Sequence, residues 1–274
     1  MNNKLPTIRN QITIGFTLPV PPLLCRYRNL VGASRDWVRQ SILQGTHYFP
    51  SPLSFNDPYD SRPNFEMQGS KKQIRKFYEA LLKKWNPEIG RESRRSDIRE
   101  YLSDGSSSPK LQRSLEHFER QYRDIAMANT GVMCLSETSE ELLMWAHYAD
   151  SHRGVCLVFD NSDPCFSKAK PVRYEHERRV LNILERDVEK LIDYSIFTKS
   201  DHWAYEREWR ILQTGGAGVY QIPCSALVQV ILGAQISAED QSLVQSWVAS
   251  AAPSPKLSKA ELSKKTFKIN VLTV

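Results

Sequence analysis

The stretch Trp203-Ala204-Tyr205-Glu206-Arg207-Glu208-Trp209-Arg210-Ile211 sets the tightest limit on how this chain folds. It reads as a strand over Glu206 to Leu212, and successive side chains of a strand point to opposite faces. Glu206, Glu208 and Arg210 then share one face. Arg207, Trp209 and Ile211 share the other, which packs, with Arg207 near the strand's open end. Two carboxylates and a guanidinium are costly to bury without partners. Either the strand lies at an edge and carries a solvated ladder of ion pairs worth little, or it runs inside the fold and its charged face belongs to a site. The stretch alone leaves both open.

The rest of the chain says what kind of fold surrounds that strand. Its 274 residues suffice for a substantial core. Residues 1–22 read as a lead-in, and residues 23–274 as one domain with an insertion at about 69–128. Strands are expected at Leu23 to Tyr27 and Thr46 to Pro50. Between them a helix is expected over 34–44, with Ser34 as its cap. Within the insertion strand signals vanish. Ile74, Phe77, Tyr78, Leu81 and Leu82 fall on one stripe of a helix from Lys71 to Trp85. Leu111, Leu115, Phe118 and Tyr122 align on a second from Ser108 to Met127, and the polar link from Arg91 holds room for a third. After residue 130, strands are expected at Gly131 to Ser136, Gly154 to Asp160, Val172 to Tyr174, Val219 to Ile222, Leu227 to Leu232 and Phe267 to Val274. Helices are expected at Glu140 to Tyr148, with Thr138 or Ser139 as its cap, at Arg178 to Thr198 and at Ala238 to Ala249. Strands and helices mix without regular βαβ alternation, which predicts an α+β fold: a mixed, mostly antiparallel sheet with flanking helices and a basic helical insertion.

Charge is uneven. Residues 69–125 hold 14 Lys or Arg against 9 Asp or Glu, nearly the whole of the chain's net +6. This marks either solvated helix faces or a lobe for nucleic acid or another anion, with Lys71, Lys72, Arg75, Arg91, Arg94, Arg95, Arg113 and Arg120 as the contacts. The cysteines (Cys25, Cys134, Cys156, Cys165, Cys224) are odd in number and form no C-x-x-C pair, so buried thiols in a reducing cytoplasm are expected. Prolines at 19, 21 and 22 interrupt the apolar N-terminal stretch, and no run approaches the length of a membrane span.

Two further segments are dense in functional residue types. From Cys134 to Gly154, Leu142, Trp145 and Ala149 form a core-facing stripe, while His147 and Asp150 stand three apart. No H-x-x-x-H or H-E-x-x-H spacing occurs, and no metal is expected. Gly154 fits a left-handed helix stop or a close backbone contact. The segment Phe55-Asn56-Asp57-Pro58-Tyr59-Asp60 is a turn held by its own side chains, or one whose Asp57 or Asp60 reaches into a pocket. There is no P-loop, nucleophile elbow or Rossmann glycine triplet.

Arg26-Tyr27-Arg28, the Ser-Phe-Asn-Asp-Pro turn, Met-Trp-x-x-Tyr-Ala-x-x-His-x-Gly and Trp-x-x-Glu-x-Glu-Trp-Arg, in this order, resemble a bacterial family, domain of unknown function 2971. A basic residue on an early strand, a serine on a middle strand and Glu-x-Glu on a late one is also similar to the layout of ADP-ribosyltransferases, although the chain has no Ser-Thr-Ser segment. That resemblance implies NAD as substrate. Arg26 would clasp its phosphates, with Tyr27, Tyr48, Ser136 and Tyr148 bracing the site. Glu208 would be the catalytic glutamate, with Glu206, Arg210 and His147 beside it. It also implies a toxin or anti-phage effector with a nucleic-acid or protein acceptor. The alternative is a nucleic-acid-binding or nuclease-like protein working through the insertion, without NAD chemistry.

Overall fold

A computed structural model describes residues 19–85, 87–103, 109–185 and 188–274. The first segment is β1 (Leu23–Arg28), α1 (Ala33–Gln44), β2 (Thr46–Phe49) and β3 (Asn64–Glu66). The insertion follows as α2 (Lys71–Trp85), α3 (Arg91–Ser103) and α4 (Pro109–Gln121), which ends in a π-helical turn at Tyr122–Met127. Then come β4 (Gly131–Ser136), α5 (Leu142–Tyr148), β5 (Val155–Asp160), β6 (Lys170–Pro171), β7 (Arg173–Glu175) and β8 (Val180–Asn182). The last part holds α6 (Val188–Phe197), β9 (Thr198–Ser200), β10 (Glu208–Gln213), β11 (Gly218–Gln221), β12 (Leu227–Leu232), α7 (Ala238–Ser250), β13 (Lys256–Leu262) and β14 (Ile269–Thr273).

The architecture is α+β. One sheet runs β14-β13-β12-β5-β1-β4-β10-β6. Its neighbours are antiparallel except β12 and β13, which α7 joins as a parallel crossover. The strands carry apolar residues on both faces because both faces are covered. Leu24, Leu157, Phe159, Ile211 and Val230 pack with Val38 and Ile42 of α1 and Val244 of α7. Cys25, Tyr27, Cys156, Val158 and Ile231 pack on the other side with Trp145 of α5 and Ala149 just after it. Truncating a fully buried side chain such as Trp145 costs about 3–5 kcal/mol. The insertion makes its own core with Phe65 of β3 and Ile183: Tyr78 and Ile98 are buried there, and Phe118 meets Phe65 edge-on.

The sheet is incomplete between β1 and β4. β1 makes six register pairs with β5, and β4 makes six with β10. Between β1 and β4 there is one, Cys25 with Ser136. The strands diverge past that point, and a hollow opens in the gap. Gly154 holds the far end of β1. A Cβ there would lie 2.1 Å from the Arg28 carbonyl oxygen, so the expected close backbone contact is the reason for this glycine.

Several sequence expectations need correction. The strand over Glu206 begins at Glu208, because Asp201–Glu206 is a 3-10 turn closed by Arg207 in the left-handed conformation (φ 43°). Arg207 is therefore exposed rather than packed with Trp209. The helix expected over 178–198 is β8, a 3-10 turn, α6 and β9, since β8 finds a parallel partner in β3 and β9 in β7. Ser34 does not cap α1. Gly32 precedes the helix, and the Ser34 hydroxyl donates to the Asn29 carbonyl. Nor do Thr138 or Ser139 cap α5, where the Glu141 carboxylate accepts from Leu143 N. The link from Arg91 does hold a third helix, over Arg91–Ser103, and Lys256–Leu262 is an unforeseen strand. Residues 1–18 of the expected lead-in and Ser108 lie outside the described residues.

Candidate functional site

A cavity of about 170 Å³ occupies the gap between β1 and β4. Arg26, Tyr27 and Arg28 line it from β1, Cys134 from β4, Tyr148 from α5, Lys199 from β9, Glu208 and Arg210 from β10, and Asn56 and Asp60 from the turn after β2. Glu206 enters from the 3-10 turn before β10.

Its acidic part is a closed network. Arg210 is fully buried, and its guanidinium makes two forked pairs. Nε and Nη2 donate to Glu208 at 2.7 and 2.9 Å, while Nη1 and Nη2 donate to Asp60 at 2.9 and 2.6 Å. Lys199 Nζ donates to Glu206 Oε2 at 2.5 Å and Glu208 Oε2 at 3.4 Å, and stands 3.7 Å from Asp60. Its ammonium also lies 4.7 Å from the centre of the Trp203 ring. Burial works against the charged form of Glu208, but Arg210 and then Lys199 outweigh it and hold the carboxyl at about 2. The reverse attraction, first from Glu208 and then from Glu206, keeps Lys199 above its ordinary value despite its burial. Lys199 is thus a fixed cation, unsuited to nucleophilic amine chemistry. Glu206 differs from Glu208. Burial raises its pKa, and Lys199 only partly offsets this. Its other oxygen, Oε1, accepts from the Tyr148 hydroxyl at 2.6 Å.

The other part of the cavity is basic and unbalanced. Arg26 is buried, and its Nη2 donates to the Tyr48 carbonyl at 2.8 Å. Among the described residues, neither Arg26 nor Arg28 has an ion-pair partner. Burial lowers the pKa of both, and Arg28 lowers that of Arg26 further. His47 is buried close by with Nδ1 unpartnered. Burial first, then Arg26 and Arg28, push its pKa well down, so it stays neutral.

Arg26, Tyr27, Tyr148, Glu206, Glu208 and Arg210 therefore meet in one place. Tyr27 is partly structural, since its hydroxyl donates to the Thr138 carbonyl. Ser136 acts from behind: its hydroxyl donates to the Glu206 carbonyl at 2.7 Å and fixes the turn that presents Glu206. Two residues fall elsewhere. His147 is exposed on α5, with its ring near Tyr148 and Tyr205 rather than in the cavity. Tyr48 turns its ring outward onto Trp37 and offers the site only its carbonyl. Asp150, expected beside His147, pairs with Arg153 at 2.9 Å.

Three site residues had no assignment from the sequence. Lys199 directly follows the supposed helix over 178–198, and nothing local marked it. Arg28 stood within the Arg26-Tyr27-Arg28 motif, where its period-two spacing from Arg26 was the available signal. Asn56 lines the cavity from the turn, and Asp60 reaches into it as one of the two readings of that turn required. The basic residues of the insertion do not join the cavity. Lys71, Lys72, Arg75, Arg91, Arg95, Arg113 and Arg120 are exposed along α2, α3 and α4, with Arg94 half-buried.

No described helix is long and apolar enough to cross a membrane. No curated protein and no solved structure matches the chain. Residues 144–211, the segment that supplies Tyr148, Lys199, Glu206, Glu208 and Arg210, match the model of a family described as protein of unknown function (DUF2971).

Proposed function

We propose that the cavity binds NAD and cleaves the bond between its ribose and nicotinamide, passing the ADP-ribosyl group to an acceptor. The observation that carries this reading is the meeting, in one hollow, of two guanidiniums without counter-ions and a carboxylate of raised pKa. A buried cation left unpaired costs several kcal/mol. A diphosphate supplies the missing charge and suits the forked donors of arginine. At about 170 Å³ the cavity is smaller than the roughly 300–1,000 Å³ that holds a drug-sized ligand, so it takes only the reacting end of the dinucleotide.

The chemistry divides the two glutamates. As the bond from ribose C1′ to the nicotinamide nitrogen breaks, the electron pair leaves on the nitrogen and positive charge develops on the ribose. A fixed carboxylate favours that state over the ground state. An acceptor oxygen then bonds to C1′ and gives up its proton. Glu206 suits that proton because its pKa is raised. Glu208, with both oxygens held by Arg210, keeps Lys199 and Arg210 in place instead. The working glutamate of the pair is thus Glu206, positioned by Tyr148 and Ser136. The test is nicotinamide release from NAD, with water, protein, RNA and DNA as acceptors. Wild type should turn NAD over, and Glu206→Gln should lose about 10²–10⁴-fold. NAD left intact with every acceptor ends this reading.

The exposed lysines and arginines of α2, α3 and α4 favour a second reading, nucleic-acid binding without NAD chemistry. It requires affinity that falls steeply with salt.

A further inference from the structure

A second hollow, of about 410 Å³, lies on the other side of Lys199, which lines both. Its walls come from Tyr59 to Pro63, from Glu175 to Arg179, and from the end of α6 into β9. Arg178 Nη2 donates to the Arg62 carbonyl and ties the first two segments together. Two guanidiniums stack on tyrosine rings here: Arg178 over Tyr59 and Arg179 over Tyr194, each 5.4 Å from the ring centre. Tyr59 stays 65 % exposed despite this.

The charge is lopsided toward the cations. Arg62, Arg178 and Arg179 face two acids, Glu175 and Glu177. Glu175 is occupied, by Arg179 at 3.1 Å and by the Tyr194 hydroxyl at 2.9 Å. His176 sits against Asp201. Arg62 and Arg178 have no ion-pair partner among the described residues. An exposed ring, a guanidinium plane beside it and surplus positive charge suit a flat, electron-rich group joined to an anion. The placement fits as well. β3 and β8 follow Pro63 and Arg179 directly, pair in parallel at Asn64 and Val180, and contribute to the core under the basic helices.

We propose that this hollow binds a nucleobase together with its adjoining phosphate. The base stacks on Tyr59 beside Arg178, and the phosphate meets Arg62 and Arg178. The source is a free mononucleotide or the unpaired end of a nucleic-acid strand. The assignment does not rest on NAD chemistry in the first cavity.

Fluorescence anisotropy of the full chain with a labelled short oligothymidylate at low salt, and competition by AMP, test it. The oligonucleotide should bind, and Tyr59→Ala and Arg178→Ala should each weaken binding about tenfold. Arg26→Gln, which alters only the first cavity, should leave it unchanged. Both altered side chains are exposed, so matching circular dichroism spectra will establish that the variants fold. Competition by AMP identifies a mononucleotide site, and its failure identifies a strand end. The proposal is overturned if neither probe binds, if both variants bind as wild type does, or if only Lys71→Ala and Lys72→Ala weaken binding.

Discussion

The two parts of the first cavity treat buried charge in opposite ways. Around Arg210 the carboxylates are answered: Asp60 and Glu208 share Arg210 and Lys199 through contacts of 2.6 to 3.7 Å. Around Arg26 and Arg28 the cations have no acid among the described residues, and Arg26 donates to a backbone carbonyl instead, that of Tyr48. A fold needs the first arrangement to stand, because removing one member of a buried ion network leaves its partners stranded. It gains nothing from the second unless an anion arrives from outside. Self-satisfied charge marks scaffold, and unsatisfied charge marks a binding surface.

Removing the centre of the scaffold should have the largest effect. Arg210→Met strands Glu208 and Asp60 in the interior and is expected to cost about 3–5 kcal/mol in chemical denaturation. A loss under about 1 kcal/mol would erase the distinction between the two parts. Acid should expose the same network. Glu208 is held at about 2, below its unfolded value, so its contribution is complete above the unfolded value and is lost as pH falls toward 2. Glu206, with its pKa raised by burial, moves the other way, favouring the fold as it protonates. Melting temperature should therefore fall more steeply below pH ~4.5 for wild type than for Glu208→Gln, and parallel profiles would contradict the assignment.

The basic part should answer with the opposite sign. Arg28→Met removes a cation without a partner and is expected to raise stability by about 0.5–2 kcal/mol while weakening anion binding. A clear loss of stability would make Arg28 scaffold too. The smallest change belongs to the insertion. Lys71→Ala and Lys72→Ala, at exposed positions, should shift stability by no more than about 0.5 kcal/mol each.

How much of this was legible depends on the range of the interactions. The cores of β1, β4, β5 and β12 were readable because each is a short apolar run with its own boundaries, and β10 was readable from its alternation of charged and apolar residues. The helix over Lys71–Trp85 was readable from its stripe. The charged face of Glu208 and Arg210 could be read as a face, but not that burial, rather than an edge, was its fate. The deciding partner, Asp60, lies 150 residues away. Lys199 was invisible for the same reason: β9 exists through its pairing with β7, and its local sequence reads as helix end. The divergence of β1 from β4, which creates the cavity, depends on strands joined elsewhere in the sheet. β13 was hidden because its Lys-Leu-Ser-Lys start looks like loop until Leu257 and Ser258 are paired with Val230 and Ile231 of β12.

On the proposed function, Arg26 and Arg28 await an anion of the kind NAD carries. Isothermal titration calorimetry with ADP-ribose, which lacks the bond to be cleaved, addresses it without relying on turnover. Wild type and Glu206→Gln should both bind, and the double variant Arg26→Gln, Arg28→Gln should lose the heat signal while remaining folded. No binding to wild type at millimolar ADP-ribose, or equal binding to the double variant, would contradict the claim.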